Sequence, residues 1–251
     1  MAKNERLTNT IKLKYETNSS SDHFVLWSGG CDSTLLLYEL LETYGPENVI
    51  AISYKYPFLL ENKYLTEKKY RDKFKEKMKE KGPNFSNFKH MEINVSYGQQ
   101  NIDDCVSIRS GGLIQAVSWL LSVPIFTRTN DKIYSGIISG DDLLIWLNSY
   151  EELFKNVSKI LDRDISLRLP YIQMTKADVI RKLIQYDLYD SVWFCEIPPE
   201  VNKKCYKCKP CLNHFAALNY LQMVEDDEII LSKINLILER LKEELVESKR
   251  N

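Results

Sequence analysis

The segment Ser28-Gly29-Gly30-Cys31-Asp32-Ser33-Thr34 combines the residue types and the spacing of a phosphate-binding turn. It follows the apolar run 24–27 and precedes Leu35-Leu36-Leu37, which predicts a buried strand, a tight turn and the start of a helix. Adjacent glycines let the backbone approach a ligand, and a helix start offers N–H groups and a positive dipole end. The residues Trp27, Ser28, Gly29, Gly30, Asp32, Ser33 and Thr34 are therefore predicted to bind nucleotide phosphates. The competing interpretation is an ordinary strand-to-helix turn capped by Asp32 or Ser33.

Four of the six cysteines, Cys195, Cys205, Cys208 and Cys211, fall within seventeen residues near the carboxyl end. Three thiolates on a compact turn and a fourth from a nearby loop suit tetrahedral Zn²⁺ in a closed structural site. Disulfides are the alternative, but no signal peptide is recognisable, so we expect a reducing, cytoplasmic location. A redox Cys-x-x-Cys would leave two of the four thiols unexplained. His214 lies close enough in sequence to replace one cysteine.

The pattern Ser-Gly-Gly-x-Asp-Ser-Thr at 28–34 resembles the PP-loop of the N-type ATP pyrophosphatases. Together with the Cys-x9-Cys-x2-Cys-x2-Cys cluster it resembles 7-cyano-7-deazaguanine synthase, the QueC-like family, over about Phe24 to His214. This resemblance implies ATP and Mg²⁺ as cofactors, with Asp32 helping to hold Mg²⁺ and Zn²⁺ bound by the cysteines. It also implies a catalytic part for Asp32 and Ser33.

Weaker matches lie between these two anchors. The segment Ile108-Arg109-Ser110 resembles the family's Pro-x-Arg-Asn segment, and Met174–Asp178 resembles its Lys-Ala-Glu segment. The resemblance makes Arg109 and Lys176 candidates for neutralising phosphate charge. Each has an ordinary alternative, because Lys176 begins a helical segment that solvent can cover and Arg109 has Asp103 and Asp104 as ion-pair partners.

The chain departs from this family where the family recognises its substrate. The Ser-Gly-Tyr-Pro-Asp-Cys-Arg segment is absent, and the apolar run Leu143–Ser149 stands in its place. We therefore expect the ATP and zinc chemistry to be retained and the recognition of the acceptor to differ.

Composition limits the classes of function. The 251 residues carry a formal net charge of -1 and 44% hydrophobic residues, enough for a full core in one domain. Near-neutral charge argues against bulk electrostatic binding of nucleic acid. No apolar run reaches the roughly 20 residues that span a bilayer.

Alternating strands and helices predict an α/β fold, a Rossmann-like doubly wound parallel sheet with ligands at the carboxyl ends of its strands. Strands are predicted at 11–15, 49–54, 90–95 and 133–138 besides the one at 24–27. Helices are predicted at 33–44, 61–81, 113–121, 150–161, 176–183 and 226–248. The charged helix 61–81 is expected to be solvated, and Gly82-Pro83-Asn84 to end it.

The chain is divided into an amino-terminal extension at 1–22, a PP-loop ATP pyrophosphatase domain at 23–190, and a zinc cluster with a carboxyl-terminal helix of the same domain at 191–251. The apolar stripe of that last helix has two interpretations. It packs on its own domain, or it forms an interface with a second copy or another protein.

The leading functional hypothesis is ATP-dependent activation of a carboxylate as an acyl-adenylate, followed by attack of an amine. The resemblance implies 7-carboxy-7-deazaguanine as the substrate and ammonia as the amine, giving an amide or a nitrile. An alternative is a QueC-like enzyme of an antiviral defence system that joins the deazaguanine to a protein amine. A second alternative is a PP-loop enzyme that modifies tRNA, in which cysteines carry sulfur. Cys31 and Cys105 are interpreted instead as small buried residues.

Overall fold

The computed structural model describes residues 23–56, 60–94, 130–162 and 164–250. In these ranges the strands are β1 (His23–Leu26), β2 (Val49–Lys55), β3 (Lys89–Asn94), β4 (Asn130–Tyr134) and β5 (Asp164–Arg168). The longer helices are α1 (Cys31–Tyr44), α2 (Glu61–Lys81), α3 (Leu147–Leu161), α4 (Lys176–Gln185), α5 (Lys209–Val224) and α6 (Glu228–Arg250). Short helical turns occupy Pro46–Asn48, Pro83–Ser86, Asp142–Trp146 and Tyr189–Ser191.

The chain divides into two compact units. The first comprises Met1–Trp27, Leu36–Phe58 and Lys81–Gln173, and the second comprises Ser28–Leu35, Leu59–Glu80 and Met174–Asn251.

The first unit is built on a five-stranded sheet in the order β3-β2-β1-β4-β5. Every neighbouring pair is parallel, and the central β1 places Phe24 beside Ile50 of β2 and beside Ile133 of β4. The apolar side chains of the strands form a buried core with Phe154 of α3. The predicted Rossmann-like α/β fold is confirmed.

The strand order places a topological switch point beside β1. From β1 the chain continues to β2 and β3 on one side, and β4 and β5 lie on the other side. In open parallel sheets, ligands bind at the carboxyl ends of the strands where the order reverses. β1 ends at Leu26, and the glycine-rich segment follows it in the chain at Ser28.

Two strands differ from the sequence expectation. The strand expected at 133–138 ends at Tyr134, and Ile138 donates its N–H to Asp141 Oδ2 at 3.0 Å instead of pairing in the sheet. β5 was not expected, because its five residues carry only the weak alternation of Ile165 and Leu167. The predicted elements at 11–15 and 113–121 lie outside the described residues, as do the extension 1–22, Arg109 and Cys105.

The second unit contains α4, α5 and α6, which pack on one another around a continuous apolar core. On α6 this core includes Ile230, Ile234, Ile237, Leu238 and Leu241, so most of the apolar stripe packs on its own chain. The first of the two interpretations of the stripe therefore applies to these residues.

The expectation that α2 is a solvated helix is wrong for one of its faces. Tyr64, Thr66, Arg71, Phe74 and Met78 are buried, and Arg71 is only 2% exposed. The sequence does not predict this buried face, because its residues are apolar, polar and charged and lie among closely spaced lysines and glutamates.

Candidate active site and candidate metal centre

The glycine-rich segment turns tightly against α2 in the second unit. Gly29 has a φ of +94°, and a Cβ at this position would lie 2.8 Å from the backbone oxygen of Glu67 and 3.0 Å from Cγ of Arg71. Glycine tolerates positive φ and close backbone approach, whereas any other residue would be strained here. Arg71 also donates from Nη1 to the Ser28 carbonyl at 2.8 Å. Helix α2 therefore packs directly against the turn and holds it through the hydrogen bond from Arg71.

The serine hydroxyls of the segment hold its shape. Ser28 Oγ lies 3.0 Å from Ser33 Oγ and accepts from Gly30 N at 3.1 Å. Ser28 N donates to Ser33 Oγ at 3.2 Å, and Thr34 N donates to the Gly30 carbonyl at 3.0 Å as α1 begins. The N–H groups in the first turn of an α-helix have no acceptor within the helix, and those of α1 point toward its amino-terminal end. This arrangement suits binding of an anion.

Asp32 and Lys176 form an ion pair beside this turn. Lys176 Nζ donates to Asp32 Oδ1 at 2.7 Å and to Oδ2 at 2.6 Å, and both side chains are partly exposed. Lys176 is held there because it begins α4, where Thr175 and Asp178 form a reciprocal capping box. The structure thus brings together two predicted catalytic residues that are separated by 144 positions.

The segment at Trp193 lies directly against the glycine-rich turn. Trp193 N donates to the Gly29 carbonyl at 3.0 Å, and Trp193 forms an isolated parallel bridge with Gly30. The Cys31 thiol lies 3.8 Å from the Trp193 carbonyl and 4.0 Å from Nδ1 of His214. Cys31 is 2% exposed, which confirms its interpretation as a small buried residue. Burial raises the pKa of its thiol to about 12.

The four predicted zinc ligands converge in the same unit. The Sγ atoms of Cys195, Cys205, Cys208 and Cys211 all lie within 4.8 Å of one another, and each of these cysteines is a free thiol. Backbone N–H groups point at the sulfurs, from Cys205 to Cys195 Sγ at 3.2 Å and from Cys208 to Cys205 Sγ at 3.3 Å. Donors of this kind stabilise thiolates, as does the start of α5, which contains Cys211.

The chemistry of these donors fits a single tetrahedral metal ion. Ligands at about 2.3 Å from Zn²⁺ place their sulfurs about 3.8 Å apart, near the spacing seen here. A hydrogen bond from Cys211 lowers the pKa of Cys195, while the same contact raises the pKa of Cys211. Four thiols packed this closely hydrogen-bond to one another through their protons unless a metal cation takes the place of those protons. The cysteine cluster could therefore bind a metal ion.

His214 does not belong to the cysteine cluster. It is fully buried on α5, its Nε2 lies 2.6 Å from the Tyr189 hydroxyl, and its ring stacks on Phe194 at 3.7 Å. Burial lowers the pKa of His214, and the charge of Lys176 lowers it further. His214 is therefore a neutral core residue that packs between α5 and the Trp193 segment.

The predicted residue Trp27 belongs to the sheet unit. Its N–H donates to the Ile52 carbonyl at 2.8 Å, its side chain is 1% exposed, and its indole meets His90 edge to face. The structure thus places Trp27 in the core at the end of β1.

Three further residues at the turn, Arg71, Glu67 and Trp193, have no motif in the sequence that predicts them. Burial raises the pKa of Glu67 to about 7, and Lys63 opposes this shift. In a highly charged helix, the local sequence does not indicate which arginine or glutamate is buried. The one available indication was the i, i+4 spacing of Glu67 and Arg71, which places both on one face of α2.

No helix in the described ranges is long and apolar enough to cross a membrane.

Neither protein-family profiles nor curated protein sequences match this chain. Among solved structures, the U34-tRNA thiolase NcsA from Methanococcus maripaludis, determined with its 4Fe-4S cluster, aligns over 94% of this chain and 77% of its own. That alignment has a TM-score of 0.50 and 15% identity. NMN synthetase from Francisella tularensis aligns over 96% of this chain and 93% of its own, with a TM-score of 0.44 and 14% identity. The likeness to the thiolase shows that the two proteins share a fold.

Proposed function

We propose that this protein uses ATP to activate a carboxylate as an acyl-adenylate and then transfers the acyl group to an amine. The observation that carries the proposal is the turn at 28–34 with Asp32 and Lys176 paired beside it. It supplies hydroxyl and N–H donors, a carboxylate and an ammonium group within one small region. The resemblance to the PP-loop and the fold shared with the thiolase support the same conclusion.

The first step forms a bond between a carboxylate oxygen of the substrate and the α-phosphorus of ATP. The bond from that phosphorus to the bridging oxygen breaks, and pyrophosphate leaves. The N–H groups and hydroxyls of the turn would hold the departing phosphates, and Lys176 would neutralise part of their charge. Mg²⁺ held by Asp32 would supply the remaining positive charge.

In the second step the amine attacks the activated carbonyl carbon. AMP leaves with the bonding electron pair, and the nitrogen loses a proton as the amide forms. Positioning contributes much of such a rate, so a dedicated base is not required. Conversion of an amide to a nitrile would consume a second ATP in the same way.

We propose 7-carboxy-7-deazaguanine as the carboxylate, on the resemblance to the QueC-like family. The run Leu143–Ser149, which the resemblance aligns with that family's substrate segment, lies in the helical turn at Asp142–Trp146 and the start of α3. Because this segment is altered, the alternative acceptor is an amine of a partner protein, as in a defence-system conjugating enzyme.

Zinc is our proposal for the metal at the four cysteines, where it would fix the loop 195–211 to the start of α5 and take no part in the chemical steps. In a 4Fe-4S cluster each thiolate binds a different iron, so the thiolates stand further apart than around one ion. The 4.8 Å limit on the sulfur separations therefore favours a single ion. Metal analysis of the purified protein separates zinc from iron.

The tRNA thiolase among the structural neighbours suggests tRNA modification as the competing function. Two observations disfavour it. Cys31, the one described cysteine outside the cluster, is buried with a raised pKa, and sulfur transfer needs an accessible thiolate. The net charge of -1 gives no general attraction for tRNA.

The test is mass spectrometry of the protein with ATP, Mg²⁺ and 7-carboxy-7-deazaguanine, with and without ammonium. The proposal predicts AMP and pyrophosphate, and an amide or nitrile only when ammonium is present. Release of AMP without a small-molecule product, with the acyl mass appearing on a protein from the lysate, would establish conjugation. Absence of AMP with this carboxylate, and its appearance with unmodified tRNA, would contradict carboxylate activation.

A further inference from the structure

The second unit contains a cavity that the proposed chemistry does not use. Its volume is about 370 Å³, which lies in the range of sites that hold small molecules. Helix α6 contributes one part of its lining, and the last turn of α4 with residues 187–190 contributes the other. The cavity is therefore a separate site from the glycine-rich turn at 28–34.

Helix α6 presents a mixed face to this cavity. Lys233, Leu236, Ile237 and Arg240 follow the spacing i, i+3, i+4 and i+7, which places them on one side of the helix. The two cations stand about 10 Å apart along the helix axis, with the two aliphatic side chains between them. Leu236 is 63% exposed, so a ligand can reach the cavity from solvent.

The other part of the lining is fixed by the way α4 ends. Asp187 has a φ of 58°, and its N–H donates to the Ile184 carbonyl at 3.2 Å. The N–H of Leu188 donates to the Leu183 carbonyl at 2.8 Å, which completes a Schellman motif. Leu188 is buried, whereas Asp187 and Tyr189 on either side of it line the cavity. Backbone hydrogen bonds therefore hold this part of the cavity in place before any ligand binds.

The charged groups of the lining favour an anionic ligand. Asp190 is paired with Arg240 at 2.7 Å, and Asp187 is paired with Lys77 of α2. Each aspartate thus has its own cation, and Lys233 adds a positive charge that neither pair balances. A ligand that complements this lining carries one anionic group for the lysine and an apolar body for the aliphatic side chains.

Tyr189 connects the cavity to the glycine-rich turn. It lines the cavity, and its hydroxyl lies 2.6 Å from Nε2 of His214. Nδ1 of His214 lies 4.0 Å from the thiol of Cys31, which is the first residue of α1 and precedes Asp32. His214 and Cys31 are 0% and 2% exposed. Because buried side chains are closely packed, a change in the position of Tyr189 is transmitted along this series of contacts.

We propose that this cavity binds a small organic anion with an apolar body, and that the bound anion strengthens ATP binding at the glycine-rich turn. The anion contacts Tyr189 and thereby fixes His214 and Cys31 at the start of α1. ATP then has less of the turn to order when it binds, so its affinity rises. The effect on ATP rests on the proposed function, whereas the anion site does not.

Calorimetric titration with 4-phenylbutyrate tests the site, and the neutral 4-phenylbutanamide is the matched ligand. We expect the carboxylate to bind about fivefold more tightly than the amide, because Lys233 pairs with the charged group. Lys233→Gln should remove this difference, and Leu236→Ser should weaken the binding of both ligands. Lys242→Gln is the matched control, since Lys242 is an exposed lysine of α6 outside the lining, and it should change neither affinity.

The effect on the turn is measured by titrating α,β-methylene-ATP, which cannot release pyrophosphate, with and without saturating 4-phenylbutyrate. We expect the probe to lower the dissociation constant of the nucleotide about fivefold, and the nucleotide to tighten binding of the probe by the same factor. Tyr189→Phe removes the hydroxyl that meets His214 and keeps the ring. This variant should still bind the probe but lose most of the shift in nucleotide affinity.

Equal affinity of the wild-type protein for the carboxylate and the amide, or binding of neither, would overturn the anion site. Displacement of the probe by the nucleotide would also overturn it, because the probe would then lie at the turn. Probe binding that leaves the nucleotide affinity unchanged would overturn the effect on ATP. A protein that binds the probe but no nucleotide would support the anion site and contradict the proposed function.

Discussion

Gly29 shows how one residue sets the shape of the glycine-rich turn at 28–34. Its positive φ and its contact with the Glu67 backbone leave no room for a Cβ. Gly140 has nearly the same φ, +89°, but nothing lies within 4 Å of a Cβ built there. The two glycines therefore separate the cost of the backbone conformation from the cost of the contact.

We predict that Gly140→Ala lowers the free energy of unfolding by about 1 kcal/mol, which is the cost of the left-handed conformation alone. Gly29→Ala should lower it by about 3 kcal/mol and abolish ATP binding, because the backbone must also move away from α2. Chemical denaturation and calorimetric titration with ATP measure the two effects. Equal losses of stability in both variants would show that the contact with Glu67 has no cost.

In the proposed function Asp32 acts on the phosphates, and its partly exposed ion pair with Lys176 contributes little to the stability of the fold. We predict that Asp32→Asn lowers the rate of pyrophosphate release at least about a hundredfold while the melting temperature changes little. Asp190→Asn is the matched control, since Asp190 is also an ion-paired aspartate, 2.7 Å from Arg240. Unchanged release in Asp32→Asn would refute the assignment of the turn as a PP-loop.

At the scale of elements, the loop 195–211 and the glycine-rich turn at 28–34 are linked through the short peptide around Trp193. Trp193 bonds to Gly29, its indole N–H donates to the Cys195 carbonyl at 2.8 Å, and Cys195 is one of the four clustered thiols. The loop is also tied to α6, where Lys204 pairs with Glu244 at 2.8 Å. A metal at the cysteines would therefore stabilise the loop, the turn and α6 together.

We predict that Cys208→Ser loses the bound metal and lowers the melting temperature by about 10 °C or more, because a structural metal contributes directly to folding. ATP affinity should fall as well, through the contact of Trp193 with the turn. Cys31→Ser is the control, since Cys31 is buried but lies outside the cluster. Metal analysis and thermal unfolding are the measurements. A metal-free Cys208→Ser protein that melts at the wild-type temperature would rule out a structural role.

Two leucines of helix α6 differ in burial and should therefore differ in their contribution to stability. Leu238 is 1% exposed and Leu236 is 63% exposed, two residues apart on the same helix. Leu238→Ala should cost about 2 to 5 kcal/mol of the free energy of unfolding, because it leaves a cavity among α4, α5 and α6. Leu236→Ala should cost less than about 0.5 kcal/mol. Denaturant titration distinguishes them, and comparable costs would mean that Leu236 is covered in solution.

At the scale of the whole molecule, stability should depend on pH through His23. Burial, together with the charge of Lys132, lowers the pKa of His23 from 6.5 to about 4. Between these values the unfolded chain binds a proton that the folded chain does not, so stability is lost as the pH falls from about 6.5 to about 4. The loss amounts to roughly 3 kcal/mol.

His23→Phe keeps the ring that stacks on Tyr44 and removes the titration. Denaturation of both proteins from pH 7 to pH 4 should show the wild-type protein losing roughly 3 kcal/mol more of its unfolding free energy than the variant. Other groups, including Glu67 with its raised pKa, titrate in both proteins and cancel. A difference that stays constant with pH would contradict the shifted pKa.

The sequence by itself determined the features that depend on local chemistry. The turn at 28–34, the four clustered cysteines and the alternation of strands and helices follow from residue type and spacing, because glycines, thiols and apolar periodicity have few other uses. Helix α2 matched its predicted bounds of 61–81 for the same reason, since Gly82-Pro83 ends it.

Only the tertiary structure decided which distant residues meet. Lys176 reaches Asp32, Arg71 supports Gly29, and Trp193 joins the turn to Cys195. It also decided that the apolar stripe of α6 is core. Periodicity reports that a face is apolar, but which face is covered depends on contacts made far along the chain, and these have no signature in local sequence.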